Sequence, residues 1–63
     1  MAFNLLIVDD SNSMRTVVKK IVGLTGLETN QILEADNGLK ALDVLGGNWI
    51  DAVILDINMP EMN

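Results

Sequence analysis

Two apolar runs in this chain end in acid. Leu5-Leu6-Ile7-Val8 leads into Asp9-Asp10, and Ala52-Val53-Ile54-Leu55 leads into Asp56, which continues as Ile57-Asn58-Met59-Pro60. Runs that are apolar at every position suit strands buried on both faces, and such strands belong to parallel sheets covered by helices. Parallel neighbours cannot be joined by a tight hairpin; they need a crossover of a dozen or more residues, usually helical. If the two runs lie side by side and parallel, their carboxyl ends bring Asp9, Asp10 and Asp56 together, where open α/β sheets place their ligands.

The segments between the runs have the period a crossover needs. After the first strand, placed at Phe3 to Val8, the residues Met14, Val17, Val18, Ile21 and Val22 recur at i, i+3, i+4, i+7 and i+8, the stripe of an amphipathic helix. Ser11, Asn12 or Ser13 can cap its start, and Gly26 suits a left-handed residue after its end. A second strand is expected at about Gln31 to Ala35. Asp36-Asn37-Gly38 reads as a turn and helix entry, after which Leu39, Leu42 and Leu45 mark one helical face and Gly46-Gly47 ends it. The third strand is expected from Asp51 to Asp56, with Pro60 preventing its continuation as a central strand. The predicted order is βαβαβ, with right-handed crossovers. Trp49 is expected to pack at the turn before the third strand.

Length and charge bound the function. Sixty-three residues make one small domain at most, without cysteine for a disulfide or histidine for a zinc site. Nine acidic against four basic residues leave a net charge of −5, which argues against a nucleic-acid surface, since phosphate binding needs a basic footprint. No apolar run could span a bilayer and the N-terminus lacks the pattern of a secretory leader, so no membrane insertion and a cytoplasmic location are expected. The apolar fraction, 49%, is high for so small a chain, and some apolar surface is expected to need a partner.

The acidic cluster needs a counter-charge. Two carboxylates about 4 Å apart repel by roughly 4 kcal/mol at an effective dielectric of 20. A hard divalent cation answers this, and Mg²⁺, which keeps several waters and takes one or two carboxylates plus phosphate oxygens, fits an all-oxygen set better than zinc or copper. The competing reading is that these are only capping aspartates at the ends of strands. Arg15, Lys19 and Lys20 lie off the apolar stripe, either as a solvated face or as a docking surface for an acidic partner.

Taken together, Leu6-Ile7-Val8-Asp9-Asp10-Ser11, Met14-Arg15, Glu34-Ala35-Asp36-Asn37-Gly38 with Ala41-Leu42, and Asp56-Ile57-Asn58-Met59-Pro60 resemble the receiver domain of two-component response regulators of the CheY-like type. The resemblance implies a flavodoxin-like α/β fold with parallel strands in the order 2-1-3. It implies a regulatory phospho-acceptor rather than an enzyme: Asp56 as the residue that takes a phosphoryl group, and Asp9, Asp10, Asp56 and Asn58 around Mg²⁺, the last through its backbone carbonyl. The implied partner is a histidine kinase or phosphotransfer domain that docks on the first helix, in a phosphorelay such as that of chemotaxis.

A receiver of this family has about twice this length, so residues 1–63 are expected to be its N-terminal half, with the hydroxyl and lysine that read the phosphoryl group beyond Asn63. On that expectation, switching should not occur in residues 1–63 alone. The third strand becomes an uncovered edge, and a homo-oligomer, most simply a two-fold dimer, is expected to cover it. Two other readings remain open: an inert, self-associating structural fragment, and a Mg²⁺-dependent aspartyl phosphohydrolase. The latter wants a second acid two residues after its nucleophile, where Asn58 stands.

Overall fold

The computed structural model describes residues 2–55. Its elements are β1 (Phe3–Val8), α1 (Asn12–Leu24), β2 (Thr29–Ala35), α2 (Gly38–Gly47) and β3 (Ala52–Leu55). The strands form one parallel sheet in the order β2-β1-β3, so the first strand in sequence is the middle one in space. This is the βαβαβ half of a flavodoxin-like, CheY-like fold.

The position of β1 follows from its composition. Leu5, Leu6, Ile7 and Val8 are all buried, and Leu6 is fully enclosed. Because side chains alternate across a strand, the four residues serve two faces. Leu6 and Val8 pack with Ala35 of β2 and Ala41 of α2, flanked by Leu33, Val44 and Ile50. Leu5 and Ile7 point to the opposite face, the side left for α1, whose Val22 is its one buried residue. Burying each such aliphatic side chain stabilises the fold by about 1.5–3 kcal/mol relative to exposure.

Local chemistry sets the element ends. The Ser11 hydroxyl accepts from the Met14 amide at 3.2 Å and caps α1. At the other end Gly26 has φ +77°, the left-handed conformation expected of it, just after the capping residue Thr25. The Asn37 side chain accepts from the Lys40 amide at 2.8 Å and caps α2. That helix runs through Gly47, and Asn48 closes it by donating from its side chain to the Val44 carbonyl at 3.0 Å.

Two expectations are corrected, for the start of the second strand and for Trp49, and the packing face of α2, which the spacing leaves open, is decided. The second strand begins two residues earlier than the pattern suggests, at Thr29, because a register shift between Phe3 and Asn4 absorbs Asn30, whose side chain donates to Asn4 Oδ1 at 3.0 Å. The leucine face of α2 does not form the core. Leu39 and Leu42 are 69% and 62% exposed, and the helix instead lays Gly38, Ala41 and Val44 on the sheet, because small residues allow the closer approach. Trp49 is exposed rather than packed, and its indole N–H donates to Asp51 Oδ1 at 3.2 Å.

Asp51 ties that end of the sheet together. Its amide donates to the Asn4 carbonyl and its carboxylate accepts the Asn4 amide, both at 2.8 Å, one step before the Leu5–Ala52 pair of the β1–β3 register. The Asn4 side chain also donates to the Trp49 carbonyl at 2.9 Å. By contrast β3 is thinly covered: Val53, Ile54 and Leu55 are 46%, 38% and 46% exposed.

Candidate functional site

The carboxyl edge of the sheet is built around the end of β1. The Asp9 amide donates to the Ala35 carbonyl at 3.1 Å, carrying the β1–β2 pairing one residue past the strand. Asp9 is buried, and its Oδ1 accepts the Ser11 amide at 2.8 Å, a side-chain turn that reverses the chain into α1. Ser11 then caps the helix. The Asp9 side chain therefore has a structural role, as the capping reading expects, yet only Oδ1 takes part in that contact. Asp10, next to it, is exposed.

On the other side of β1, Val8 pairs with Leu55 in parallel register. The strand pair that precedes the acidic residues is thus formed as the sequence predicts. Asp56 and Asn58, the expected phospho-acceptor and carbonyl ligand, lie outside the described residues, as do Met59 and Pro60. Among the described residues no three acidic, histidine or cysteine side chains gather closely enough to hold a metal. The described part of the expected Mg²⁺ site is the pair Asp9 and Asp10: oxygen donors only, one buried and oriented, one free in solvent. That donor set fits a hard cation that keeps several waters.

Beside the pair lies a feature that helical periodicity did not reveal. The Arg15 guanidinium, its side chain only 14% exposed, makes three contacts: Nη1 donates to the Asp9 carbonyl at 2.6 Å, Nε to Glu34 Oε1 at 3.0 Å, and Nη2 to Asn12 Oδ1 at 3.1 Å. Lys19, one turn further along α1, donates to the other Glu34 oxygen at 3.0 Å. Glu34 is held below the usual glutamate range, first by the hydrogen bond from Lys19 and then by that from Arg15. Arg15 and Lys19 are therefore not a free solvated face. The sequence signal for this cluster is the i, i+4 spacing of two cations on α1 opposite a single glutamate near the end of β2.

Arg15 and Glu34 also line a small open cleft of about 200 Å³, with Ala35, Asp36 and Lys40. Lys40 Nζ lies 3.2 Å from Asp36 Oδ1 and donates to Oδ2 at 3.3 Å. Oδ1 is closed off from solvent but its contact lacks hydrogen-bond geometry. Such partly exposed pairs are worth at most about 1 kcal/mol each. The cleft is lined by paired ions of both signs and lies on the β2 side of β1, away from β3.

No solved structure matches the chain. Residues 5–63 match the response regulator receiver domain. A chemotaxis protein CheY homolog of Campylobacter jejuni is 47% identical over 60 residues, covering 94% of this chain and 45% of its own length. Chemotaxis protein CheY1 of Helicobacter pylori is 43% identical, with 94% and 47% covered, and chemotaxis protein CheY of Bacillus subtilis is 41% identical over 63 residues, with 100% and 51% covered. The chain thus spans about half the length of these relatives. No helix among the described residues is long and apolar enough to cross a membrane. With the parallel 2-1-3 sheet and an acidic pair at the end of its middle strand, the match over residues 5–63 shows that the chain belongs to the response regulator receiver domain family.

Proposed function

We propose that the chain serves two-component signalling, in a chemotaxis pathway like those its relatives are named for, by accepting a phosphoryl group on Asp56 from a histidine kinase or phosphotransfer domain. The observation that carries this reading is the Val8–Leu55 pairing, which sets side by side the two strands that immediately precede Asp9-Asp10 and Asp56. An Asp56 carboxylate oxygen attacks phosphorus, the bond from phosphorus to the donor imidazole nitrogen breaks, and the imidazole leaves with that electron pair, giving an acyl phosphate. The chain is consumed as a stoichiometric acceptor and is not a turnover enzyme.

Asp9, Asp10, Asp56 and the Asn58 carbonyl are the residues that would hold Mg²⁺, which when bound offsets the charge on the carboxylates and the transferring group. Asp9 is pre-oriented by the Ser11 amide, so its position is set before any ligand arrives. Asp10 is open to solvent and can exchange water for a ligand at little cost.

Incubation with acetyl phosphate and Mg²⁺, followed by intact mass, tests the reading. A gain of one phosphoryl group, lost in Asp56→Asn, is expected. An unmodified wild-type chain, or modification that persists in the variant, overturns it.

A second reading, self-association without phosphotransfer, is favoured by the exposure of every residue of β3 at the sheet edge, an arrangement that invites pairing with another chain. Light scattering at micromolar concentration tests it: a dimer mass supports it, and a folded monomer removes it.

A further inference from the structure

We propose that Arg15 is a positioning residue for the acidic pair, holding the Asp9–Asp10 turn in the shape that takes a divalent cation. The inference rests on the metal reading above and adds a residue to it. A chain leaving the middle strand of a sheet has to choose a direction, and Asp9 is where this one turns. Its amide is held by the Ala35 carbonyl and its side chain by the Ser11 amide. Its carbonyl is held by Arg15 Nη1 at 2.6 Å. All three polar groups of Asp9 are engaged, and the bond to the carbonyl comes from a side chain that is itself fixed.

Arg15 is fixed from three directions. Glu34 of β2 accepts from Nε and Asn12 at the start of α1 accepts from Nη2. A planar fork joins the end of β1, the first turn of α1 and the end of β2, a geometry that a lysine ammonium cannot reproduce. Glu34 is in turn shared with Lys19. The peptide between Asp9 and Asp10 is thus clamped through its oxygen, and that peptide determines where the exposed Asp10 carboxylate is carried.

Charge alone argues against placing an arginine here. A guanidinium beside a cation site repels the cation, so if Arg15 acted only by charge its removal would tighten Mg²⁺ binding. If it acts by positioning, removal loosens it. The two roles predict opposite signs.

The experiment uses the whole chain and the variants Arg15→Met, Arg15→Lys and Lys40→Met. Lys40 lines the same cleft and pairs with Asp36. Mg²⁺ affinity is measured by calorimetry, and exchange of the Ser11 amide by NMR without metal. In Arg15→Met and Arg15→Lys, Mg²⁺ affinity is expected to fall by about 10- to 100-fold, the range for groups that orient ligands. Ser11 exchange should rise while the Leu5–Val8 amides keep their rates. Lys40→Met should bind as wild type or slightly tighter. Unchanged or tighter binding in Arg15→Met, or an unchanged Ser11 amide, overturns the proposal, as does a uniform rise in exchange across β1. A wild-type chain that binds no Mg²⁺ overturns the metal reading itself, and is told apart because it fails before any substitution is made.

Discussion

Val8 of β1 lies in register with Leu55 of β3, and each is followed in sequence by an aspartate. The two residues are 47 positions apart, and one helical crossover on each face of the sheet brings them together. A parallel strand pair therefore sets side by side the two points in the chain after which Asp9 and Asp56 follow in sequence.

Asp9 and Asp10 should separate stability from chemistry. Asp9→Ala removes the acceptor of the part-buried Ser11 amide and is expected to cost about 1–2 kcal/mol in urea unfolding. Asp10→Ala, at an exposed position, should stay within about 0.5 kcal/mol of wild type while losing Mg²⁺-dependent phosphoryl incorporation. Equal loss of stability in both would remove the distinction drawn between them.

Two glycines should respond to alanine with opposite signs. Gly26 has φ +77°, where a side chain is strained, so Gly26→Ala should destabilise by about 1–2 kcal/mol. Gly23 lies inside α1 with open space around it, so Gly23→Ala should stabilise by about 0.5–1 kcal/mol. Thermal unfolding of the two variants checks both signs in one comparison.

Asp51 should matter although it is exposed. Asp51→Ala leaves the Asn4 amide without its acceptor and releases the Trp49 indole, and about 1 kcal/mol of stability should go with them. Faster exchange of the Asn4 amide would localise the loss, and an unchanged rate would contradict the assignment.

Glu34 links the clamp to pH. Its value is lowered from the ordinary 4.5, chiefly by Lys19 and then by Arg15, so the stabilisation it brings is fully present above that ordinary value and disappears as pH falls through the lowered one. Unfolding of wild type and Glu34→Gln should therefore differ above the ordinary glutamate value and converge as pH falls through the lowered one. The side chain is about one-third exposed, so solvent screening keeps the gap small. A gap that stays constant across this range would show that Glu34 titrates alike in the folded and unfolded chain, contrary to the lowering assigned to Lys19 and Arg15.

The elements and their order were legible because an apolar run marks a strand and a 3.6-residue stripe marks a helix, even where, as in β3 and most of the α1 stripe, the side chains are exposed. β1 needs two apolar faces because it is the middle strand, and its sequence has them. The α2 surface was not legible. Spacing identifies Leu39, Leu42 and Leu45 as one face, but which face approaches a sheet depends on how closely the helix must sit, and here Gly38 and Ala41 allow the nearer contact. At the site, the acidic pair was visible as charge following an apolar run. The Arg15 clamp was not, because it joins residues 6 and 19 positions apart through a backbone carbonyl and a neighbouring strand.

Among the described residues the middle strand is hydrogen-bonded on both sides, whereas β3 has a single neighbour and four exposed residues. Local opening should therefore begin at β3, and β1 should part only with the whole molecule. Asp9 and Asp10 follow the last strand to open, and Asp56 follows the first. A ligand that bridges the two would draw its binding energy partly from keeping β3 in place, so its occupancy could be read as slowed exchange of the Val53 to Leu55 amides, at a distance from any atom it touches.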